Sequence, residues 1–337
     1  MNKKLLGYLL IALMLLSCLG ACEDAKAKTV TIADGTGHSV DVPVPAERIV
    51  SIDSHLSEII YALEAGDRIV GRDSYTYFPA SLKDVPVVAA SSYKPDVEAI
   101  LKINPDLVVA DSMLSKDDRK KIEAAGIPVM VETSLDPTNV ATLVEHLGVV
   151  LDKEDRANEI VLFIKRYQDI VDERISGLKA ADKPAVFFEW GSKPYKSAGS
   201  GTIFHNLTVA AGGMNIVADQ TVQYPTVDAE WIAKRDPDII VRDVSTTAEE
   251  NLTDKMMRTR NEIISRQGLS DVKAIKDGRV YALGAPLAAG IRSIIGELYL
   301  AKWFHPDLFE DIDPETIDKE FLQKFFGEEP KEKGVYP

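Results

Sequence analysis

The 337-residue chain is poor in cysteine. It has two, Cys18 and Cys22, and both lie within the first 22 residues. The rest of the sequence therefore excludes a disulfide framework and any zinc site built on cysteine. The five histidines are scattered, and no two of them are spaced four residues apart. We expect no resident metal and no cofactor.

Basic clusters are also absent. The chain carries 39 Lys and Arg against 53 Asp and Glu, a formal net charge of −14. Because nucleic-acid binding depends on clustered positive charge, this composition argues against a nucleic-acid partner. The Gly-x-Ser-x-Gly motif of α/β hydrolases does not occur either, since Ala198-Gly199-Ser200-Gly201 has a different spacing. We therefore predict a protein that is not an enzyme.

The N-terminus has the pattern of a secretion signal. Two lysines precede an apolar run over 5–16, which is short for a membrane span. The following Leu19-Gly20-Ala21-Cys22 resembles the lipobox of prokaryotic lipoproteins, whose cysteine receives the lipid. We predict a signal peptide at 1–21, a lipid anchor on Cys22 outside the cytoplasm, and a tether and lead-in over 22–46. Cys18 is a second candidate for lipidation, and a plain secreted protein is the other interpretation.

The body of the chain has the rhythm of an α/β protein. Short β-branched runs alternate with helical patterns, which indicates parallel βαβ units. We predict two α/β lobes with parallel sheets, over 47–152 and 182–327. Between them, 153–181 carries a sustained apolar stripe at helical spacing. This stripe predicts one long helix, with two kinked helices as the alternative. Residues 328–337 are predicted to be a loose tail.

An internal repeat links the two lobes. Residues 97–111 and 229–243 match without gaps at seven of fifteen positions. Each copy has the pattern of a short helix, a Pro-Asp turn and a buried strand, which indicates two lobes related by a pseudo-twofold axis. Glu98 and Glu230 are equivalent, each at the first turn of its helix. The helix dipole alone would explain both acids. Alternatively, the pair forms a two-pronged contact for an arginine-bearing, two-fold symmetric partner.

Several segments together resemble a known family. Their order and spacing are similar to those of the periplasmic binding proteins that serve ABC importers of ferric siderophores, haem and cobalamin. The resemblance covers nearly all of the chain from Thr29 to Phe326. The segments that carry it are 48–51, 58–63 with Gly66-Asp67, Ser74-Tyr75-Thr76-Tyr77-Phe78-Pro79, 97–100, 105–108, Gly212-Gly213-Met214-Asn215, 299–303 and 305–309.

The resemblance implies two Rossmann-like lobes joined by one long backbone helix, with the ligand in the cleft between them. It implies small lobe movements on binding. It also implies docking on an ABC-transporter permease and its ATPase through one acidic residue in each lobe, and Glu98 and Glu230 fall on those positions. We expect a monomer.

Candidate ligand contacts come from the loops that follow the predicted strands, where open α/β sheets bind their ligands. These loops are rich in aromatic residues, which suit a flat or chelated ligand. Two arginines there are predicted to bind an anionic group, with ordinary salt bridges as the alternative. For the aromatic residues, the alternative is core packing. The candidates are His55, Tyr75, Tyr77, Tyr93, Trp190, Tyr195, Tyr224, Arg242 and Arg292.

The sequence thus predicts a lipid-anchored binding protein that captures a metal chelate, such as a ferric siderophore, a corrinoid or haem, and delivers it to an ABC importer. Two alternatives within the same fold stay open. One is a protein that binds molybdate or tungstate, and the other is a ligand sensor without a transport role.

Overall fold

The computed structural model describes residues 28–133, 139–191, 193–246, 250–330 and 334–337. The predicted signal peptide, Cys18 and Cys22 lie outside these residues. Within the described ranges, none of the helices combines the length and the apolar character that a membrane crossing requires.

The described chain begins with an antiparallel hairpin of two strands, β1 (Lys28–Ala33) and β2 (Ser39–Val44). Val42 is fully buried and belongs to the main hydrophobic core. The prediction of a tether and lead-in over 22–46 therefore needs correction, because residues 28–44 of that range form this folded hairpin.

The N-terminal lobe is built on a six-stranded sheet, parallel except at one edge. Its strands are β3 (Ile49–Ser51), β4 (Ile69–Asp73), β5 (Val87–Ser91), β6 (Lys94–Pro95), β7 (Leu107–Asp111) and β8 (Val129–Glu132). They are ordered β6-β5-β4-β3-β7-β8, and only β6 pairs antiparallel. The helices of this lobe are α1 (Ser54–Ala62), α2 (Val97–Ile103), α3 (Lys116–Ala124) and α4 (Val140–Leu151).

The connecting helix α5 (Glu154–Ile175) has 22 residues, about 33 Å at 1.5 Å per residue. It is shorter than the predicted 153–181, because the chain leaves the helix at Ser176 and enters a 3-10 turn at Ala180–Asp182. One face of α5 is buried in the main core.

The C-terminal lobe contains a five-stranded sheet and seven helices among the described residues. The strands are β9 (Ala185–Glu189), β10 (Met214–Asn215), β11 (Ile239–Val244), β12 (Val280–Gly284) and β13 (Val335–Tyr336), in the order β10-β9-β11-β12-β13. The helices are α6 (Ile203–Ala210), α7 (Ala229–Arg235), α8 (Leu252–Ile264), α9 (Lys273–Lys276), α10 (Ala285–Ala288), α11 (Ser293–Phe304) and α12 (Pro314–Phe326). These two parallel-rich sheets confirm the predicted α/β class.

The prediction for the C-terminal tail also needs correction. Residues 328–337 were expected to be loose, but β13 pairs antiparallel with β12. Val335 lies opposite Leu283 and is only 8% exposed. A two-residue strand carries too little pattern to be found from sequence, and the sheet edge supplies its hydrogen bonds.

The last helix ties the two lobes together. Phe321 of α12 packs on Phe163 of α5, with 5.3 Å between ring centroids. Phe326 stacks on Tyr61 of the N-terminal lobe at 5.8 Å and contacts Phe78 at 5.3 Å. Two helices therefore connect the lobes, which restricts their relative movement more than a single connecting helix would.

The internal repeat is also a structural repeat. Asp96 caps α2 by accepting a hydrogen bond from the N–H of Ala99 (3.0 Å), and Asp228 caps α7 in the same way (2.8 Å). After each helix, the aspartate of the Pro-Asp turn accepts a hydrogen bond from a backbone N–H at the start of the first parallel strand of its lobe. The donors are Arg48, at 2.9 Å from Asp106, and Ala185, at 2.8 Å from Asp238.

Candidate functional site

A cavity of about 520 Å³ lies between the two lobes; we call it the cleft. Loops from the carboxyl ends of the parallel strands in both sheets form its walls, as expected for a ligand site in open α/β sheets. The volume falls within the usual range of about 300–1,000 Å³ for small-molecule sites. Its lining includes Asp53, His55, Glu58, Asp73, Tyr75, Tyr77, Phe78, Lys83, Ser91, Ser92, Tyr93, Met113, Ser245, Thr246, Glu250, Pro286, Arg292, Leu322, Pro330 and Gly334.

Another cavity, of about 660 Å³, lies beside Tyr61, Arg156 and Phe325. It includes Ile69, the first residue of β4, and so lies at the amino end of that strand. Parallel sheets bind their ligands at the opposite ends of the strands. We therefore assign ligand binding to the cleft.

Tyrosines form an aromatic rim on the N-terminal side of the cleft. Tyr75 follows β4 and Tyr93 follows β5, and their side chains are 56% and 58% exposed. Large apolar rings left this exposed inside a cavity are suited to stack on a flat ligand. Tyr77 is half-buried, and its hydroxyl donates a 3.1 Å hydrogen bond to the carbonyl of Thr246 in the other lobe. Tyr75 and Tyr93 are thus available to a ligand, whereas Tyr77 joins the lobes.

Four of the predicted ligand contacts lie outside the cleft lining, namely Trp190, Tyr195, Tyr224 and Arg242. Trp190 packs on Tyr224, with 4.6 Å between ring centroids, and the ammonium of Lys196 lies 4.4 Å from the indole. Tyr195 lies under the guanidinium of Arg266 at 4.8 Å. We call Trp190, Tyr195, Lys196 and Tyr224 the outer aromatic cluster. The sequence predicts these rings in loops that follow strands of the C-terminal lobe, but it does not show that Trp190 and Tyr224 pack on each other.

The two arginines predicted to bind an anion already have carboxylate partners. Arg242 lies 3.2 Å from the fully buried carboxylate of Glu189. Arg292 does line the cleft, but its guanidinium donates to both oxygens of Asp318, at 3.0 and 2.9 Å. Both members of the second pair are buried. Each arginine thus has the carboxylate partner that the salt-bridge alternative expects, and their binding of an anionic ligand group stays a prediction.

His55 contacts both lobes. It opens α1 in the N-terminal lobe and lies against the backbone turn at Gly290, where an added Cβ would come within 2.7 Å of its ring. Its Nδ1 is 3.8 Å from Asp53. Burial disfavours the charged imidazole, but the carboxylates of Asp53, Glu58 and Asp73 outweigh burial and raise its pKa to about 9. At neutral pH this side chain is a cation held among acids.

The floor of the cleft is acidic. Burial raises the pKa of Glu58 to about 7, although His55 and Arg292 favour its charged form. Asp73 accepts hydrogen bonds from the N–H and hydroxyl of Thr76, at 2.8 and 2.6 Å, and burial raises its pKa. The sequence prediction missed both acids. Asp73 was detectable as the last residue of a strand, but Glu58 lies inside a helical stripe and gives no such signal.

The tail supplies part of the wall. Pro330 and Gly334 line the cleft, and the backbone carbonyl of Gly334 accepts a 2.8 Å hydrogen bond from Gly284. Because 328–337 was predicted to be loose, these residues were missed as well.

The repeated acids lie on the outside of the molecule. Glu98 and Glu230 are both exposed in the first turns of α2 and α7. Within the part of the chain that the structure describes, neither carboxylate has an ion pair or a side-chain hydrogen bond. Asp96 and Asp228 already cap the two helices. The carboxylates of Glu98 and Glu230 are therefore not needed as caps and remain accessible.

No metal centre is present among the described residues, since no three His, Cys, Asp or Glu side chains come together in a way that could hold an ion.

The sequence was compared with known protein families and proteins. A model of the periplasmic binding protein family matches residues 49–287. An ABC transporter substrate-binding lipoprotein of Bacillus subtilis, YvrC, whose role is uncharacterised, is 30% identical over 320 residues, covering 90% of this chain and 97% of its own. A vitamin B12-binding protein of Vibrio campbellii is 26% identical over 198 residues, covering 58% of this chain and 70% of its own.

Solved structures give a consistent result. The TroA-like periplasmic binding protein FepB of Veillonella parvula superposes with a TM-score of 0.77 at 26% identity. The match covers 91% of this chain and 99% of that protein. The predicted resemblance to binding proteins of the siderophore, haem and cobalamin class is confirmed.

Proposed function

The chain belongs to the periplasmic binding protein family, and from this premise we propose that it captures a metal chelate of the ferric siderophore, haem or corrinoid type for an ABC importer. The observation that carries the proposal is the cleft itself. Its volume of about 520 Å³ suits an organic chelate, and two exposed tyrosines rim it. A bare oxyanion is much smaller and would need convergent N–H and hydroxyl donors instead of aromatic walls.

The proposal is tested by calorimetric titration of the purified chain with a corrinoid, a ferric hydroxamate siderophore, haem and molybdate. We expect at least one chelate to bind with a stoichiometry of one and molybdate to give no heat. Binding of molybdate alone would overturn the chelate assignment in favour of the oxyanion alternative. The absence of binding by all four would contradict capture of this ligand class.

Variants in the aromatic rim locate the binding site. Tyr75→Ala and Tyr93→Ala should each lower the affinity for that chelate about three- to ten-fold, because each removes stacking worth about 0.5–1.5 kcal/mol. Tyr224→Ala is the matched control, since Tyr224 is also an exposed aromatic residue (42%) but lies outside the cleft lining. Equal losses from all three substitutions would contradict a role for the cleft rim.

We propose that Cys22 carries a lipid that anchors the protein outside the cytoplasm. The lipobox supports this assignment, as does the lipoprotein named among the relatives, whose match covers 90% of this chain. Cys22→Ser should abolish incorporation of labelled palmitate in a bacterial host, whereas Cys18→Ser should not. Label retained in the Cys22 variant and lost in the Cys18 variant would assign the anchor to Cys18.

A further inference from the structure

The charges of the cleft restrict the ligand it accepts. Of the cations in the lining, Arg292 is occupied by Asp318 through two hydrogen bonds to one oxygen and one to the other, all within the protein interior. His55 faces Asp53 at 3.8 Å and is surrounded by acids. Lys83 is the other cation among the described lining residues, and it is exposed at the rim. Among the described residues of the lining, each buried cation therefore has a carboxylate beside it.

Acids outnumber cations in the lining. Among the described residues, four carboxylates line the cleft, namely Asp53, Glu58, Asp73 and Glu250, and Glu250 is paired with Lys255 at 2.7 Å. Two of them, Glu58 and Asp73, belong to the buried floor. Between buried groups, like charges repel more strongly than at the surface. An anionic ligand would therefore approach the buried acids of the floor, and His55 beside them already lies 3.8 Å from Asp53.

A buried hydroxyl marks where a ligand group is expected. Ser91, the last residue of β5, lines the cleft and is only 7% exposed. Its Oγ has no hydrogen-bond partner in the described part of the chain. Buried polar atoms are nearly always paired in proteins. This hydroxyl is therefore suited to pair with a polar group of the ligand, beside the aromatic ring of Tyr93.

We propose that the cleft selects metal chelates that are neutral or positively charged and that present N–H donors, and that it excludes anionic chelates and oxyanions. The inference rests on the proposed capture of a chelate and names the charge class of that ligand. Amide or ammonium groups on the periphery of the chelate would donate to the carboxylates and to Ser91, while its flat or apolar face contacts the tyrosine rim.

Matched ligands test this selection without altering the protein. Ferrioxamine B carries a free ammonium group; its N-acetyl derivative is neutral and its N-succinyl derivative is anionic, with the same ferric centre. A second pair is cyanocobalamin and its monocarboxylic acid, in which one amide becomes a carboxylate. Within whichever series binds, we expect the anionic member to bind about ten-fold or more weakly than the neutral one. The difference should shrink as salt is raised, since salt screens charge repulsion.

Variants assign the effect to named groups. Glu58→Gln removes a carboxylate from the floor with little change in shape and should reduce the discrimination against the anionic member several-fold. Lys83→Gln, at an exposed position that tolerates substitution, should increase the discrimination against the anionic member. Asp271→Asn is the control, since its carboxylate is 93% exposed and lies outside the cleft lining. The ratio of the two affinities should be unchanged in this control.

The possible results distinguish a failure of the charge selection from a failure of chelate capture. Tighter or equal binding of the anionic member would overturn the charge selection while leaving chelate capture intact. Failure of every member of both series to bind would count against chelate capture and remove the basis of the charge selection with it.

Discussion

Reversing the charges of both Glu98 and Glu230 is expected to abolish ligand delivery while leaving ligand affinity unchanged. The two acids occupy the same place in the two copies of the structural repeat, and both are exposed. Each already has a neighbouring aspartate that caps its helix, so neither is needed as a cap. We propose that the pair binds arginines on the two-fold symmetric permease of the importer.

The expected size of the effect follows from interfacial charge pairs. Removing one partner of such a pair costs about 2–5 kcal/mol. Glu98→Arg with Glu230→Arg should therefore weaken docking about a thousand-fold or more, and each single reversal should cause a similar partial loss. The measurement is uptake of labelled chelate, or stimulation of the importer's ATPase, with chelate affinity measured in parallel by calorimetry.

The matched control is Asp155→Arg. Asp155 is also an exposed acid in the first turn of a helix, but it lies on α5 and has no counterpart in the repeat. Uptake should be normal in this variant. Normal uptake in the double reversal would contradict the docking role and would leave the helix dipole as the explanation of both acids.

Breaking the Arg292–Asp318 pair is expected to cause the largest loss of stability of any single charge removal considered for this chain. Asp318→Ala leaves the guanidinium of Arg292 buried without its bidentate partner, at 8% exposure. An uncompensated buried charge of this kind costs about 3–5 kcal/mol. Urea denaturation should show a lower midpoint with little change in slope.

Two variants calibrate that loss. Asp271→Ala breaks the exposed pair with Lys276, whose side chains are 93% and 57% exposed, and should cost less than about 1 kcal/mol. The double variant Arg292→Met with Asp318→Leu should recover much of the stability, because no buried charge remains unpaired. Equal midpoints for Asp318→Ala and Asp271→Ala would contradict the role assigned to the buried pair.

The repeat was the most informative part of the sequence for the fold. Its helix, Pro-Asp turn and strand depend on local chemistry, and α2 and α7 end within a residue or two of where the pattern predicts. The connecting helix was also predicted, because an apolar stripe without proline specifies a helix over many turns. Its end was placed too late, since the last turn of such a stripe gives no sharp signal without the cap geometry.

Long-range partners account for what the sequence could not show. Asp318 lies 26 residues from Arg292, and Glu189 lies 53 residues from Arg242, so nothing near either arginine indicates that it is already paired. The same holds for Phe326, which contacts Tyr61 of the other lobe. Of the predicted ligand contacts, His55, Tyr75, Tyr77, Tyr93 and Arg292 line the cleft, and the other four lie outside its lining. Their roles in ligand binding stay predictions.

The most direct measurement is a crystal structure of the full mature chain with the tightest-binding chelate bound. We predict that the ligand lies in the cleft, stacked against Tyr75 and Tyr93, with the hydroxyl of Ser91 within hydrogen-bond distance of one of its polar groups. A chelate bound at the outer aromatic cluster of Trp190 and Tyr224, with the cleft empty, would contradict the assignment of the site.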